Sequence, residues 1–217
     1  DLSTSHGVKH LVTISTDKAV NPTNTMGATK YLAEKITLDS NSKSNIKSLC
    51  VRFGNVLSSR GSVIPSMVKG MKKNGKIWIS DGGVTRFAIP IDESASLVLD
   101  ALEMSEGGEI FVLKMKAFSL DQLVRVMLSL DLYEGEVMIE KRGLTQGEKL
   151  HEDLVSDDEL PRLWESENHY VIMPHNYNPQ TSSNLSKSEK ELYNSGSESM
   201  FSDDEIRNEI LRYVNEP

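Results

Sequence analysis

The chain has 217 residues with ordinary apolar and charged fractions and a formal net charge of −8, which suits one large or two small domains. The acidic balance argues against a protein that binds nucleic acid through the phosphate backbone. The single cysteine, Cys50, excludes an intrachain disulfide and a metal site built on several cysteines. No apolar run reaches the roughly 18–20 residues that span a membrane, and no secretory signal is visible. We therefore expect a cytoplasmic protein with no membrane contact in this segment.

Strand and helix signals alternate along the first 155 residues. Apolar runs predict strands at 10–14, 47–53, 77–80, 87–91, 109–113 and 137–141. Helical spacing of apolar residues, with glycine stops and the N-caps Asp92 and Ser119, predicts helices at 25–39, 63–73, 92–104, 119–130 and 148–154. Such alternation is typical of a mostly parallel sheet covered by helices, so we expect an α/β fold.

The character of the chain changes after residue 155. Residues 156–200 are rich in Ser, Asn, Asp, Glu and Pro and show weak periodicity. This composition predicts a loop-rich extension or an arm that wraps around a partner. A last amphipathic helix is predicted from Asp203 to about Val214, capped by Ser202 together with Glu205.

Polar groups gather where the first predicted strand ends. The strand runs into Ser15-Thr16-Asp17-Lys18, and the helix that follows carries Met26 and Lys30 on one face. Ligands of open α/β sheets bind at the carboxyl ends of strands. An adjacent carboxylic acid and neutral amine can supply the acid and the base that elimination of water beside a carbonyl requires. On spacing alone, the alternative is a surface Asp-Lys turn.

The pattern Ser-Thr-Asp-Lys-Ala-Val-Asn-Pro-Thr-Asn-Thr-Met-Gly-Ala-Thr-Lys over 15–30 resembles the extended short-chain dehydrogenase/reductases of polysaccharide biosynthesis. More narrowly, it resembles the UDP-N-acetylglucosamine 4,6-dehydratases, some of which also epimerise C5. The resemblance implies that Asp17 protonates the leaving C6 hydroxyl and that Lys18 removes the C5 proton. It also implies that Thr16 binds the oxygen at C4 of the sugar.

The same resemblance implies a nicotinamide cofactor, NAD(P), with NADP preferred. Lys30 would bind the nicotinamide ribose and assist proton transfer, and Ser15 and Met26 would be further cofactor contacts. Met26 stands where most of the superfamily has a tyrosine that acts as the base. Because methionine cannot move a proton, Lys18, or a relay through Thr16 and water, would deprotonate the C4 hydroxyl.

Later segments resemble the substrate-binding elements of the same family. Arg52-Phe53-Gly54-Asn55-Val56 resembles its Arg-x-x-Asn-Val element, and Thr85-Arg86-Phe87 its Thr-Arg-Phe segment, whose arginine can donate two parallel hydrogen bonds to a diphosphate. The loop 58–65 opens a helix whose N-terminus suits a phosphate. Residues 142–152 resemble Arg-Gly-Leu-Arg-Pro-Gly-Glu-Lys-Leu-x-Glu, with Thr145 and Gln146 in place of Arg-Pro. The implied substrate contacts are Asn55, Ser62, Arg86, Arg142 and Glu148.

The glycine-rich turn that binds a dinucleotide after a first strand does not occur in this sequence. We therefore expect the later part of a Rossmann-like parallel sheet with a smaller mixed α/β substrate-binding region. The expected division assigns 1–60 and 87–114 to the Rossmann-like domain, 61–86 and 115–155 to substrate binding, and 156–217 to a C-terminal extension. A partial sheet exposes an edge and an apolar face, which predicts a homo-oligomer or association with a missing N-terminal half.

The function expected from the sequence is a 4,6-dehydratase, with or without 5-epimerase activity, that acts on UDP-N-acetylglucosamine. The alternatives are a nucleotide-sugar 4-epimerase or reductase of the same fold, and a non-catalytic fragment that mediates assembly. No metal is expected, because the scattered histidines show no ligand spacing.

Overall fold

The computed structural model describes residues 2–43, 45–57, 59, 61–177 and 185–215. Its helices are α1 (Leu2–Ser5), α2 (Thr25–Lys43), α3 (Val63–Asn74), α4 (Ile91–Met104), α5 (Leu120–Leu128) and α6 (Asp203–Asn215). Its strands are β1 (His10–Thr16), β2 (Lys47–Phe53), β3 (Asn55–Val56), β4 (Lys76–Ile79), β5 (Thr85–Ile89), β6 (Ile110–Leu113), β7 (Lys116–Ser119), β8 (Met138–Lys141), β9 (Leu163–Glu165), β10 (His169–Ile172) and β11 (Ser186–Lys187).

The chain divides into two compact units. Unit 1 comprises Asp1–Phe53, Glu93–Lys114 and Asp153–Asn194, and unit 2 comprises Gly54–Asp92, Met115–Glu152 and Ser195–Pro217. Both units are therefore assembled from three separate stretches of sequence. The five-part division expected from the sequence stays a prediction.

Unit 1 is built on a sheet whose described strands follow the order β1-β2-β6-β10-β9-β11. The first three are parallel, with Val12 opposite Leu49 and Val51 opposite Phe111, and the last three pair antiparallel. β2 is almost wholly buried and has the apolar centre Leu49-Cys50-Val51, as expected for a parallel strand covered on both faces. Leu97 from α4 packs with these strands in one apolar cluster. The expected α/β fold with a Rossmann-like parallel sheet is confirmed.

Unit 2 contains a second sheet, β3-β5-β7, and a parallel pair of strands, β4 and β8. Its core is formed by the apolar faces of α3, α5 and α6, which pack with buried residues of β4, β5 and β7. α3 ends as predicted at Gly75, which has a φ of 61° and donates its N–H to the Met71 carbonyl. Glycine favours this left-handed position because it has no Cβ.

Two of the predicted helix caps are confirmed and one is wrong. Ser119 accepts a hydrogen bond from the backbone N–H of Gln122 at the start of α5, and Ser202 and Glu205 form a reciprocal capping box at α6. Asp92 is not an N-cap, because α4 begins at Ile91.

The helix predicted over 148–154 is wrong, because residues 148–154 form turns and extended segments. The Glu148 carboxylate accepts hydrogen bonds from Ser80 and from the backbone N–H of Thr145. The Leu150 carbonyl accepts a hydrogen bond from the backbone N–H of Thr85. In a helix the Leu150 carbonyl would accept from the backbone N–H of Leu154, which instead donates to the Tyr193 carbonyl. The backbone groups of this stretch are therefore paired with residues distant in sequence.

The loop-rich extension predicted over 156–200 is wrong in one respect, because β9, β10 and β11 lie within it. β10 pairs antiparallel with β6, which places Tyr170 opposite Val112, and all four of its residues are buried. The pairing partner is distant in sequence, so local periodicity does not reveal it.

Candidate active site

The end of β1 forms a tight polar corner in unit 1. Asp17–Ala19 make one turn of 3-10 helix directly after the strand. The Asp17 carboxyl is fully buried, and its Oδ1 accepts hydrogen bonds from the Thr16 hydroxyl (2.6 Å) and from the backbone N–H of Lys18 (2.9 Å). The Lys18 ammonium lies 3.0 Å from the same oxygen and keeps 29% of its side chain exposed. The predicted acid and base are therefore in direct contact.

The other Asp17 oxygen, Oδ2, is buried and has no hydrogen-bond partner among the described residues. A buried polar atom of this kind calls for a physical explanation, because leaving it unpaired costs about 1–3 kcal/mol. A hydroxyl of a bound ligand would satisfy it. Oδ2 is thus the atom of this corner that is suited to proton exchange with a bound molecule.

α2 is seated closely against this corner. Its first turn is capped by the Asn24 side chain, which accepts a hydrogen bond from the backbone N–H of Gly27. A Cβ on Gly27 would lie 2.2 Å from the Lys18 carbonyl oxygen, so glycine is required for this approach. One turn further, the Lys30 ammonium donates to the Ile14 carbonyl over 3.1 Å. Met26 is 48% exposed at the start of the helix.

Ser15 lies in the same stretch but directs its hydroxyl inward. The side chain is buried and donates to Glu34 Oε1 over 2.5 Å. The Glu34 carboxylate is in turn paired with the guanidinium of Arg52, 2.7 Å away. Glu34 is not among the site residues predicted from the sequence, where its only signal is a charge one helical turn after Lys30.

Arg52 is a buried structural residue with no group left over for a ligand. Its five N–H groups donate to both oxygens of Glu34, to both oxygens of Glu159 and to the Leu154 carbonyl. Burial raises the pKa of Glu159, but the Arg52 charge and its hydrogen bonds outweigh that effect and lower the pKa to about 2. Both partners of this buried pair are therefore held in the charged form.

A cavity of about 340 Å³ in unit 2 brings together three of the predicted substrate residues. Asn55, Arg86 and Glu148 line it beside Trp78 and Ser80. The Arg86 guanidinium donates to Glu148 (3.1 Å), and burial of Glu148 is outweighed by hydrogen bonds from Ser80 and Thr145 and by the Arg86 charge, so its pKa is lowered. The cavity therefore combines fixed charges with the exposed ring of Trp78.

The remaining predicted substrate residues lie outside the lining of this cavity. The Arg142 guanidinium stacks on Trp78, a lining residue, at 3.3 Å from the ring centroid. Ser62 is the N-cap of α3 and makes no capping hydrogen bond. Ser58 and Arg60, part of the loop expected to bind phosphate, lie outside the described residues.

The sequence pattern of a family described as "Polysaccharide biosynthesis protein" matches residues 1–174. The chain belongs to this family. The resemblance found in the sequence is thereby confirmed.

Named relatives of the chain include enzymes that act on nucleotide sugars. The chain is 38% identical over 216 residues to an uncharacterized membrane protein of Methanocaldococcus jannaschii, covering 95% of this chain and 62% of that one. It is 36% identical over 178 residues to the UDP-N-acetylglucosamine 4,6-dehydratase (inverting) of Campylobacter jejuni, covering 80% and 52%. It is 36% identical over 174 residues to the UDP-glucose 4-epimerase of Rickettsia bellii, covering 78% and 50%.

Solved structures show the same architecture. The structure of Pen from Bacillus thuringiensis matches with a TM-score of 0.88 and 33% identity over 98% of this chain and 65% of that chain. The dTDP-glucose 4,6-dehydratase DesIV of Streptomyces venezuelae, solved with NAD and TYD bound, matches with a TM-score of 0.62 at 17% identity over 68% of this chain and 52% of that one, which shows the fold. This family member thus spans less than two thirds of the length of these relatives.

None of the helices that the structure describes has both the length and the apolar composition to cross a bilayer. The described residues also contain no group of three or more His, Cys, Asp or Glu side chains placed to hold a metal ion.

Proposed function

We propose that the protein is a nucleotide-sugar 4,6-dehydratase that acts on UDP-N-acetylglucosamine in polysaccharide biosynthesis. The observation that carries this proposal is the direct contact between Asp17 and Lys18 at the end of β1. The Campylobacter jejuni relative named as such a dehydratase supports the choice of substrate. The cytoplasmic location, the homo-oligomer and the preference for NADP stay predictions.

Two residues of unit 1 fit a nicotinamide cofactor. The Lys30 ammonium is fixed by the Ile14 carbonyl and is only partly buried, so its other N–H groups can donate to ribose hydroxyls. The half-exposed Met26 offers an apolar surface beside it. A nicotinamide dinucleotide supplies, when bound, the oxidation at C4 and the reduction at C6, so that the whole reaction has no net redox change.

The proton transfers are assigned to the corner residues. Once C4 is a ketone, Lys18 takes the proton from C5 while Asp17 gives one to the leaving C6 hydroxyl. The C5–H and C6–O bonds break, a C5=C6 double bond forms and water departs. Asp17 Oδ2, which is buried without a partner among the described residues, is the oxygen that we assign to the leaving group.

This assignment needs a protonated Asp17 and a neutral Lys18 at the start. The elimination converts this form into an ion pair, because Asp17 gives up one proton and Lys18 takes up another. The proton released from the C4 hydroxyl can reach Asp17 through the Thr16 hydroxyl, which donates to Asp17 Oδ1 over 2.6 Å, and it replaces the one that Asp17 gives to the leaving group. Lys18, which takes a proton in the elimination, returns one to C5 when C6 is reduced and is then neutral again. The protons released and taken up therefore balance, and exchange of the partly exposed Lys18 ammonium with solvent brings deuterium to C5 in D2O.

A second candidate function is nucleotide-sugar 4-epimerisation. The Rickettsia bellii relative named UDP-glucose 4-epimerase favours it. Met26 does not separate the two reactions, because both begin with oxidation at C4 and need a proton acceptor there. The Asp17 carboxyl beside Lys18 favours the dehydratase, because only the loss of the C6 hydroxyl needs such an acid. The two reactions differ in their product, since only the dehydratase loses water.

The test uses the full-length natural protein with UDP-N-acetylglucosamine and either NAD or NADP. We expect a product lighter by one water and, in D2O, deuterium at C5. Lys18→Ala should lower the rate of water loss by about 10²–10⁴-fold, as expected for a lost acid–base group. Lys43→Ala, which removes an exposed lysine of α2, should match the wild type. Water loss at the wild-type rate in Lys18→Ala would refute the role of Lys18, and inversion at C4 without loss of water would favour the epimerase.

A further inference from the structure

β1 and α2 are joined by hydrogen bonds at three successive strand residues. The bonds join Thr13 to Thr37 (2.6 Å), Ile14 to Lys30 (3.1 Å) and Ser15 to Glu34 (2.5 Å). They become progressively closer to the catalytic corner, since Ser15 directly precedes Thr16 and Asp17. Ser15 is one residue from Thr16 and two from Asp17 along the backbone, so anchoring Ser15 restricts how far the corner can move.

The bond at Ser15 differs from the other two because it continues into the interior. Glu34 Oε1 accepts from Ser15 and also from Arg52 Nε, at 3.0 Å. The opposite edge of the Arg52 guanidinium pairs with Glu159, at 2.9 Å and 3.0 Å. Glu159 in turn accepts the backbone N–H of Ser156. A continuous line of charged hydrogen bonds thus runs from the catalytic strand to residues 156–159.

We propose that Ser15, Glu34, Arg52 and Glu159 form a positioning chain that holds Asp17 and Lys18 in place for proton transfer. Each member is buried, and Glu34 and Arg52 are nearly inaccessible to solvent. A saturated guanidinium between two carboxylates cannot rotate without breaking several charge-assisted bonds. Rigid neighbours of this kind keep a catalytic group in its productive geometry.

The proposal gives Ser15 a different role from the cofactor contact expected from the sequence. Its hydroxyl has one proton, and that proton is donated to Glu34. The proposal also gives residues 154–159 a part in catalysis, although they lie more than a hundred residues from Asp17 in sequence. These residues act through Arg52 and do not touch the reacting atoms in this assignment.

The test compares two variants of the full-length natural protein, Ser15→Ala and Thr13→Val. Each removes one hydrogen bond between β1 and α2, but only the first disconnects the positioning chain. Ser15→Ala leaves Glu34 paired with Arg52, so we expect it to fold. We expect its kcat to fall about 10–100-fold, with the Kd of the dinucleotide and the KM of the sugar unchanged, because misplacement by about 1 Å costs up to about 10²-fold. Thr13→Val should keep the wild-type kcat.

A second measurement does not depend on turnover. Acetic anhydride acetylates accessible amines, and mass spectrometry of peptides gives the rate at Lys18 relative to Lys43. We expect this ratio to rise in Ser15→Ala, because a loosened corner releases Lys18 from Asp17, and to stay unchanged in Thr13→Val. Equal ratios in wild type and Ser15→Ala, or a weaker dinucleotide Kd with an unchanged kcat, would overturn the proposal.

Whether the positioning chain extends as far as Glu159 is tested with Glu159→Gln, alone and combined with Ser15→Ala. If Ser15 and Glu159 both act through Glu34, the double variant should have about the kcat of the slower single variant, since the effects of coupled residues do not add. Multiplied losses would overturn the link to Glu159. The kinetic part rests on the proposed function, whereas the acetylation ratio does not. A wild-type protein that removes no water would thus refute the function and leave the ratio to decide the positioning role.

Discussion

A lysine would keep the charge of Arg52 but could not make all of its hydrogen bonds. The five N–H groups of Arg52 are all used by Glu34, Glu159 and the Leu154 carbonyl, whereas lysine has three. Arg52→Lys therefore leaves at least two bonds unmade in the interior, each worth about 1.5–3 kcal/mol when a charged group takes part. We expect the free energy of unfolding, measured with urea, to fall by about 3 kcal/mol or more.

Arg125→Lys is the matched control for this prediction. Arg125 also pairs with a carboxylate, that of Asp203 at 2.9 Å, but its side chain is 67% exposed. Exposed ion pairs contribute little, so the change should stay below about 0.5 kcal/mol. Equal effects of the two substitutions would show that the saturation of Arg52 does not matter for stability.

The polar corner at the end of β1 could be predicted from the sequence because its members are close together along the chain. Asp17 and Lys18 are neighbours, and Lys30 follows on the adjoining helix. Glu34 could not be identified in the same way, because its partners Ser15 and Arg52 are assigned only once β1, β2 and α2 are packed. In the sequence, Glu34 is one more charged residue of a helix.

At the scale of elements, the alternating strands and helices before residue 148 follow from local patterns. α2 and α3 begin where they were expected, and α5 carries its predicted cap. β9, β10 and β11 could not be predicted, because β10 pairs with β6, which is distant in sequence, and β9 and β11 extend the sheet from β10. The absent helix at 148–154 has the same origin, since Glu148 is held by distant partners.

The strand β10 gives a test at this scale. Ile172 is 1% exposed and pairs with Ile110 of β6. Ile172→Ala should lower the free energy of unfolding by about 2–5 kcal/mol, because it removes buried methyl groups and leaves a cavity. Leu192→Ala, at a residue that is 47% exposed in the same stretch of sequence, should change it by less than about 1 kcal/mol. A small effect at both positions would place residues 156–200 outside the folded core.

At the scale of the whole molecule, the buried carboxylates make stability depend on pH. The pKa of Glu159 is lowered from its ordinary 4.5 to about 2 in the folded protein. Because the folded pKa lies below the unfolded one, the ionised carboxylate stabilises the protein fully above about pH 4.5, and this contribution is lost as pH falls toward 2. At 1.36 kcal/mol per pH unit, the loss is about 3 kcal/mol.

We expect acid denaturation curves to show this loss between pH 4.5 and 2, and to become shallower in Glu159→Gln, which has no proton to take up. Glu205 provides the control. Hydrogen bonds from Lys116 and Ser202 lower its pKa to about 2 as well, but its side chain is 42% exposed. Solvent screens such a group, so Glu205→Gln should change the slope much less. If both variants flattened the curve equally, burial beside Arg52 would not be the source of the acid sensitivity. A wild-type slope in Glu159→Gln would place that source in carboxylates other than Glu159.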